Sequence, residues 1–139
     1  MTRVMAVDYG DARTGVAVSD GTATLAGEAW VLREKGMNGT ARAIAAEAAA
    51  RGVGTVVVGH PKNMNGSAGP RAEKSERLAG QIRKLCDAEV VLWDERMTTV
   101  RAHQILTDAG KFGKKRKNTV DAVAASLILE SYLDYLSGK

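Results

Sequence analysis

At 139 residues and 14.7 kDa the chain has the size of one domain, expected to span residues 1–139 around a single core. Hydrophobic residues at 45% and charged residues at 26% exclude a disordered or collagen-like chain, and the lone Cys86 excludes a disulfide scaffold. Aromatics at 4% leave few rings for a base-stacking platform, while 20 Lys and Arg against 16 Asp and Glu give a net +4 that suits a polyanionic partner without demanding one. The unpaired cysteine, the lack of a bilayer-length apolar run and a start, MTRVMAVDYG, without the layout of a secretion signal together lead to the expectation of a soluble, cytoplasmic protein.

RVMAV at 3–7 is a short apolar run closed by Asp8 and Gly10, which reads as a buried strand and a turn. GVAVS at 15–19 follows so closely that the two must form an antiparallel hairpin, and a third strand is expected at 28–32. Residues 40–51 are rich in helix formers and stop at Gly52. TVVVG at 55–59 is a strand buried on both faces, and HPKNMNGSAGP at 60–70 is a loop. A helix over 71–86 carries the stripe Leu78, Ile82 and Leu85, and VVLW at 90–93 is the next buried strand. Thr98 or Thr99 would cap a helix through Ala109, Lys111–Asn118 is expected as a basic connector, and Val120–Leu136 as the closing helix.

The order gives an α/β fold: a three-strand antiparallel meander plus two parallel strands in one five-stranded mixed sheet, flanked by helices on both faces. Ligands of open α/β sheets bind beyond the carboxyl ends of the strands. There the sequence puts Asp8 after the first strand, Gly59 after the fourth, and Asp94 and Glu95 after the fifth. Asp121 shares a helical face with Ala124, Ala125 and Ile128, so a third carboxylate belongs to the stripe that turns toward the protein.

Taken singly, Asp8 reads as a turn residue, Glu95 as solvated and Asp121 as an acid helped by the helix dipole. Taken together, three carboxylates at about 4 Å repel by roughly 4 kcal/mol per pair at an effective dielectric near 20, which rivals the whole stability of a small domain. Either the three are not together, or protons or a cation neutralise them. Oxygen-only ligands favour Mg²⁺ or Mn²⁺, and paired ions of this kind can clamp the attacking and leaving oxygens of phosphodiester hydrolysis. The chemistry expected is that of a metal-dependent nuclease.

Four segments, DYGDARTGVAVSD (8–20), VVVGHPKNMNGSAGPRA (56–72), VVLWDERMTT (90–99) and KKRKNTVDAVAASLILESYLD (114–134), resemble the YqgF family in the same order over nearly the whole chain. The resemblance implies a ribonuclease H-like fold, metal-binding catalytic carboxylates at Asp8, Glu95 and Asp121, and hydrolysis of either the precursor of 16S ribosomal RNA or branched DNA such as the Holliday junction. Two positions depart from the family pattern: His60 replaces a more usual apolar residue and Asn65 a common Asp.

Arg13, Lys62 and Arg71 flank the expected site as candidate phosphate contacts, and Lys114, Lys115, Arg116 and Lys117 crowd together just before Asp121. Such contacts are blind to sequence and sensitive to salt. His60 reads as a solvated loop residue and His103 as structural. Two rivals remain: an accessory protein that binds nucleic acid in ribosome assembly or transcription without cutting it, and a phosphotransferase suggested by the glycine turn in DYGDARTG, for which 139 residues leave no second domain to close over ATP. Nothing in the pattern decides between monomer and homodimer.

Overall fold

The computed structural model describes residues 2–21, 26–34, 36–63, 65–95 and 115–138, with the side chains of the closing helix described from Ala122 onward. The elements are β1 (Arg3–Asp8), β2 (Thr14–Ser19), β3 (Ala26–Leu32), α1 (Gly36–Arg51), β4 (Val53–His60), α2 (Pro70–Leu85), β5 (Glu89–Asp94) and α3 (Lys115–Leu136). They build a five-stranded sheet in the order β3-β2-β1-β4-β5. β1, β2 and β3 form the antiparallel meander, whereas β4 runs parallel to both β1 and β5, so β1, β4 and β5 end at one edge.

Strand alternation sends successive side chains to opposite faces. Met5, Val7, Val16, Val56 and Val58 pack with Ala41 and Ile44 of α1 and Leu78 and Ile82 of α2. Val4, Ala6, Ala17 and Val57 pack with Ala125, Ile128, Leu129 and Tyr132 of α3. Each fully buried aliphatic side chain contributes about 1.5–3 kcal/mol, so two aliphatic cores carry the fold with few rings, as the composition implies. Arg51 ties the end of α1 to the edge strand β3: its guanidinium lies 4.3 Å over the Trp30 ring and pairs with Glu28 and Glu47.

The turn from β1 to β2 is tight because Gly10 has no side chain; a Cβ there would run into the Arg13 carbonyl oxygen, a backbone atom that cannot step aside. Buried Thr14 closes the same turn by donating its hydroxyl to the Gly10 carbonyl at 3.3 Å.

Strands β3 and β4 each begin two residues earlier than expected, at Ala26 and Val53, and three further boundaries move. α1 begins at Gly36 rather than Thr40; the Thr40 hydroxyl bonds back to the Gly36 carbonyl at 3.0 Å inside the helix, and Met37 packs on the core, so tertiary contact extends α1 through weak formers. β4 runs through His60, which pairs with Asp94 and is only 8% exposed, so this histidine is a buried strand end and not a solvated loop residue. α3 begins at Lys115, so Lys115, Arg116, Lys117 and Asn118 are helical and not part of a connector; Lys and Arg are good helix formers, and a like-charged run need not be a loop. The helix expected through Ala109 lies outside the described residues.

Candidate functional site

Asp8 is the last residue of the central strand β1. Alternation after Val4 and Ala6 puts it on the face covered by α3. The register Val7↔Val58 places Asp8 beside Gly59 of β4, one strand spacing of about 4.8 Å away. On the other side Gly59 pairs with Trp93 of β5, two residues before Glu95.

Gly59 is the pivot of this geometry. A Cβ built on it, on the same face as Val57, would lie 2.7 Å from Ile128 Cδ1, 3.3 Å from Glu95 Cδ and 3.4 Å from Glu95 Cγ. Glu95 therefore leans back from the end of β5 across Gly59, into the floor between its own strand and β1, and α3 closes the same spot with Ile128. The missing side chain makes room for a carboxyl group.

That carboxyl is costly where it lies. Burial pushes Glu95 above the ordinary carboxylate range, and Asp94 pushes it further; the attraction of Arg71 and His60 offsets only part of this. The protein around Glu95 thus under-compensates its charge, which is the setting a hard, oxygen-preferring divalent cation fits.

Asp121 precedes Ile128 by seven residues on α3, two helical turns, so the backbone register sets both positions on one side of the helix. It lies beyond the first turn, which holds no acid, so a simple helix-dipole role does not account for it. Its side chain lies outside the described set. Among the described residues no three His, Cys, Asp or Glu side chains cluster as a metal centre; two of the three expected acids share this face, and the third belongs to the helix laid over it.

The expected cations distribute unevenly. Arg71 stands exposed in the first turn of α2, close enough for its charge to act on Glu95. Arg13 and Lys62 are half-buried in the connections after β1 and β4. Lys114 lies outside the described residues, and of Lys115, Arg116 and Lys117 only the helical backbone is described. The loop between β4 and α2 is held by its own polar groups: Asn65 Oδ1 accepts from the Ser67 amide at 3.0 Å and from its hydroxyl at 2.6 Å. Asn65 is thus a turn-forming residue here. His60 faces α2, across the sheet from Asp8, with Nε2 3.4 Å from Glu76 Oε2 but not aligned for a hydrogen bond.

Sequence reasoning missed Gly59 as a space-holder and missed the ion pair between Lys74 of α2 and Asp11 of the β1–β2 turn, 3.0 Å to each carboxylate oxygen. The first had a signal in the glycine that breaks the VVV run; the second joins positions 63 residues apart and had none.

A five-stranded mixed sheet in this strand order, with helices on both faces, is a ribonuclease H-like fold. The structure of the T. thermophilus RuvC in complex with Holliday junction substrate has this fold, with a TM-score of 0.60 at 13% identity over 99% of this chain and 97% of that one. The fowlpox virus Holliday junction resolvase aligns at a TM-score of 0.55 and 15% identity over 96% of this chain and 99% of that one. Residues 2–135 match the sequence model of RuvX, described as Holliday junction resolvase, and the chain belongs to this family, also called YqgF. Curated relatives bearing the name "Putative pre-16S rRNA nuclease" include one from Halothermothrix orenii, 43% identical over 96% of this chain and 95% of that protein, and one from Geobacillus thermodenitrificans, 45% identical over 95% and 97%.

Proposed function

We propose that this chain is a divalent-cation-dependent nuclease that hydrolyses phosphodiester bonds in structured nucleic acid, with the 5′ end of pre-16S rRNA as its foremost substrate. The observation that carries the reading is the Glu95 carboxyl lying across Gly59 on the face that also bears Asp8. Asp8, Glu95 and Asp121 would hold Mg²⁺ or Mn²⁺. Such ions, when bound, stabilise the charge that develops on the attacking and leaving oxygens.

The chain's own part is orientation and electrostatics. Asp8 stands at the end of a strand paired on both sides, which holds its backbone in place. Glu95 is partly desolvated by the protein around it, which strengthens its interaction with a cation. Arg71, Arg13 and Lys62 would bind phosphates near the reacting bond, and Lys114, Lys115, Arg116 and Lys117 would hold the backbone further along. Residues 1–139 act in this reading as one cytoplasmic nuclease domain, working as a monomer or homodimer.

The relatives' name favours ribosomal RNA precursor; the family description favours the Holliday junction as the second substrate. Comparing cleavage of both at matched salt decides between them, with Asp8→Asn as the control for contaminating nuclease. The variant is expected to fold and to lose cleavage at least a hundredfold. Cleavage at the parent's rate by the purified variant refutes the assignment, and tight binding without cation-dependent turnover by the parent would favour an accessory role.

A further inference from the structure

Beside the proposed site, Tyr9, Gly10, Asp11, Arg71 and Lys74 line a cleft of about 90 Å³ between the β1–β2 turn and the first turns of α2. Its floor is the chain that leaves Asp8. We propose that this cleft is a subsite for the backbone phosphate flanking the reacting bond, with Arg71 and Lys74 as its cations and Asp11 as a built-in stand-in for phosphate that substrate displaces. The inference rests on the nuclease reading and extends it to residues outside the acid triad.

Three features support it. Lys74 Nζ sits 3.0 Å from both Asp11 oxygens, so the ammonium already serves two oxygens of one anion, as it would the two non-bridging oxygens of a phosphodiester. The pair is displaceable: Asp11 is 73% and Lys74 38% exposed at the side chain, and ion pairs this open contribute little to holding a fold together. Arg71 and Lys74 lie three residues apart on α2, neighbours on one helical face, and Arg71 also reaches Glu95 electrostatically. The cleft has room for a phosphate-sized group and two positive side chains to hold it, and it adjoins the proposed catalytic acids.

Opposite responses to deleting the two charges separate this from a structural clamp. If the pair only pinned the turn to α2, removing either partner would break the same bridge and move nucleic-acid affinity the same way. If Asp11 competes with phosphate for Lys74, Lys74→Ala weakens binding and Asp11→Asn tightens it. Lys84→Ala serves as the control for diffuse charge: Lys84 lies in the last turn of α2, about 15 Å along the helix from Lys74.

The test measures fluorescence anisotropy of the full chain in EDTA, titrated onto a labelled four-way DNA junction and a labelled RNA hairpin across a series of salt concentrations, with cleavage assayed in Mg²⁺. Expected results are several-fold weaker binding by Lys74→Ala with a salt slope shallower by about 1, several-fold tighter binding by Asp11→Asn, and parental binding by Lys84→Ala. Lys74→Arg should restore most of the affinity. Shifts in one direction for both charge deletions, parental affinity for both, or equal loss in Lys84→Ala overturn the subsite. Should those occur while Asp8→Asn still abolishes cleavage, the subsite alone fails; should Asp8→Asn cleave like the parent while the charge variants respond as expected, the triad fails and the subsite stands. A parent that binds neither probe overturns both.

Discussion

Gly59→Ala tests the pivot of the site with one methyl group. The backbone at this position lies in an ordinary strand, so the substitution meets a steric problem and not a conformational one. The new Cβ would stand 2.7 Å from Ile128 Cδ1, about 0.8 Å short of an ordinary ~3.5 Å carbon contact, so the terminal methyl of Ile128, a residue only 1% exposed, must turn aside within the core. Overpacking of this kind costs about 1–3 kcal/mol, offset by about 0.5–1 kcal/mol from replacing a glycine in a strand. The Glu95 carboxyl, 3.3 Å from the same methyl, must also give way by a few tenths of an ångström. A misplacement of about 1 Å in a reacting geometry can cost about a hundredfold in rate, so a shift of a few tenths should cost several-fold. Activity should therefore fall together with stability. Ile128→Val removes the Cδ1 that collides with the new methyl and by itself costs about 0.5–1.5 kcal/mol. In the double variant, urea denaturation should show the two losses to be less than additive, while cleavage stays as low as in Gly59→Ala alone. Recovery of cleavage together with stability would show that crowding by Ile128, and not by Glu95, limits the reaction. Full activity in Gly59→Ala would refute the geometry outright.

The raised Glu95 pKa has a definite sign in stability. Between the ordinary carboxylate pKa and the raised one the folded state holds more protons than the unfolded state, so metal-free stability should fall as pH rises through that window. Glu95→Gln should flatten that slope, raise the melting temperature of the EDTA-treated protein at neutral pH and abolish cleavage; a lower melting temperature would contradict the burial argument. Addition of Mg²⁺ to the parent should stabilise it, by about 2.7 kcal/mol at a hundredfold excess over Kd, and by much less in Asp8→Asn, as read by thermal melts. Leu78→Ala, at a fully buried position between α2 and the sheet, should cost about 2–5 kcal/mol in urea denaturation and leave the metal response of the remaining folded protein intact.

Much of the sheet was legible in the sequence because its strands are short apolar runs broken by glycine and polar residues. The hairpin followed from the few residues between Val7 and Gly15, and the parallel pairing from the helices that intervene. Boundaries shifted where tertiary contact overrode local preference. Thr40 looks like a helix start until Met37 finds the core, and His60 looks like part of a proline-bearing loop until the ladder with Asp94 carries β4 past it. The placing of Asp8 and Glu95 at one sheet edge was legible because strand ends can be counted off the chain. The role of Gly59 was not, because it depends on Glu95 and Ile128 arriving from two other elements, and neither approach leaves a trace in local pattern. The cleft around Lys74 was hidden for the same reason.

The face of the sheet that carries Asp8 and Gly59 is roofed by α3, the last helix of the chain. During synthesis β1 emerges first, yet among the described residues Val4, Ala6 and Val57 meet their helical partners Ala125, Ile128 and Leu129 only once α3 has been added. A nascent fragment that stops short of α3 would expose this apolar face of the sheet. Laying the closing helix over the first strand makes this half of the core the later one to form.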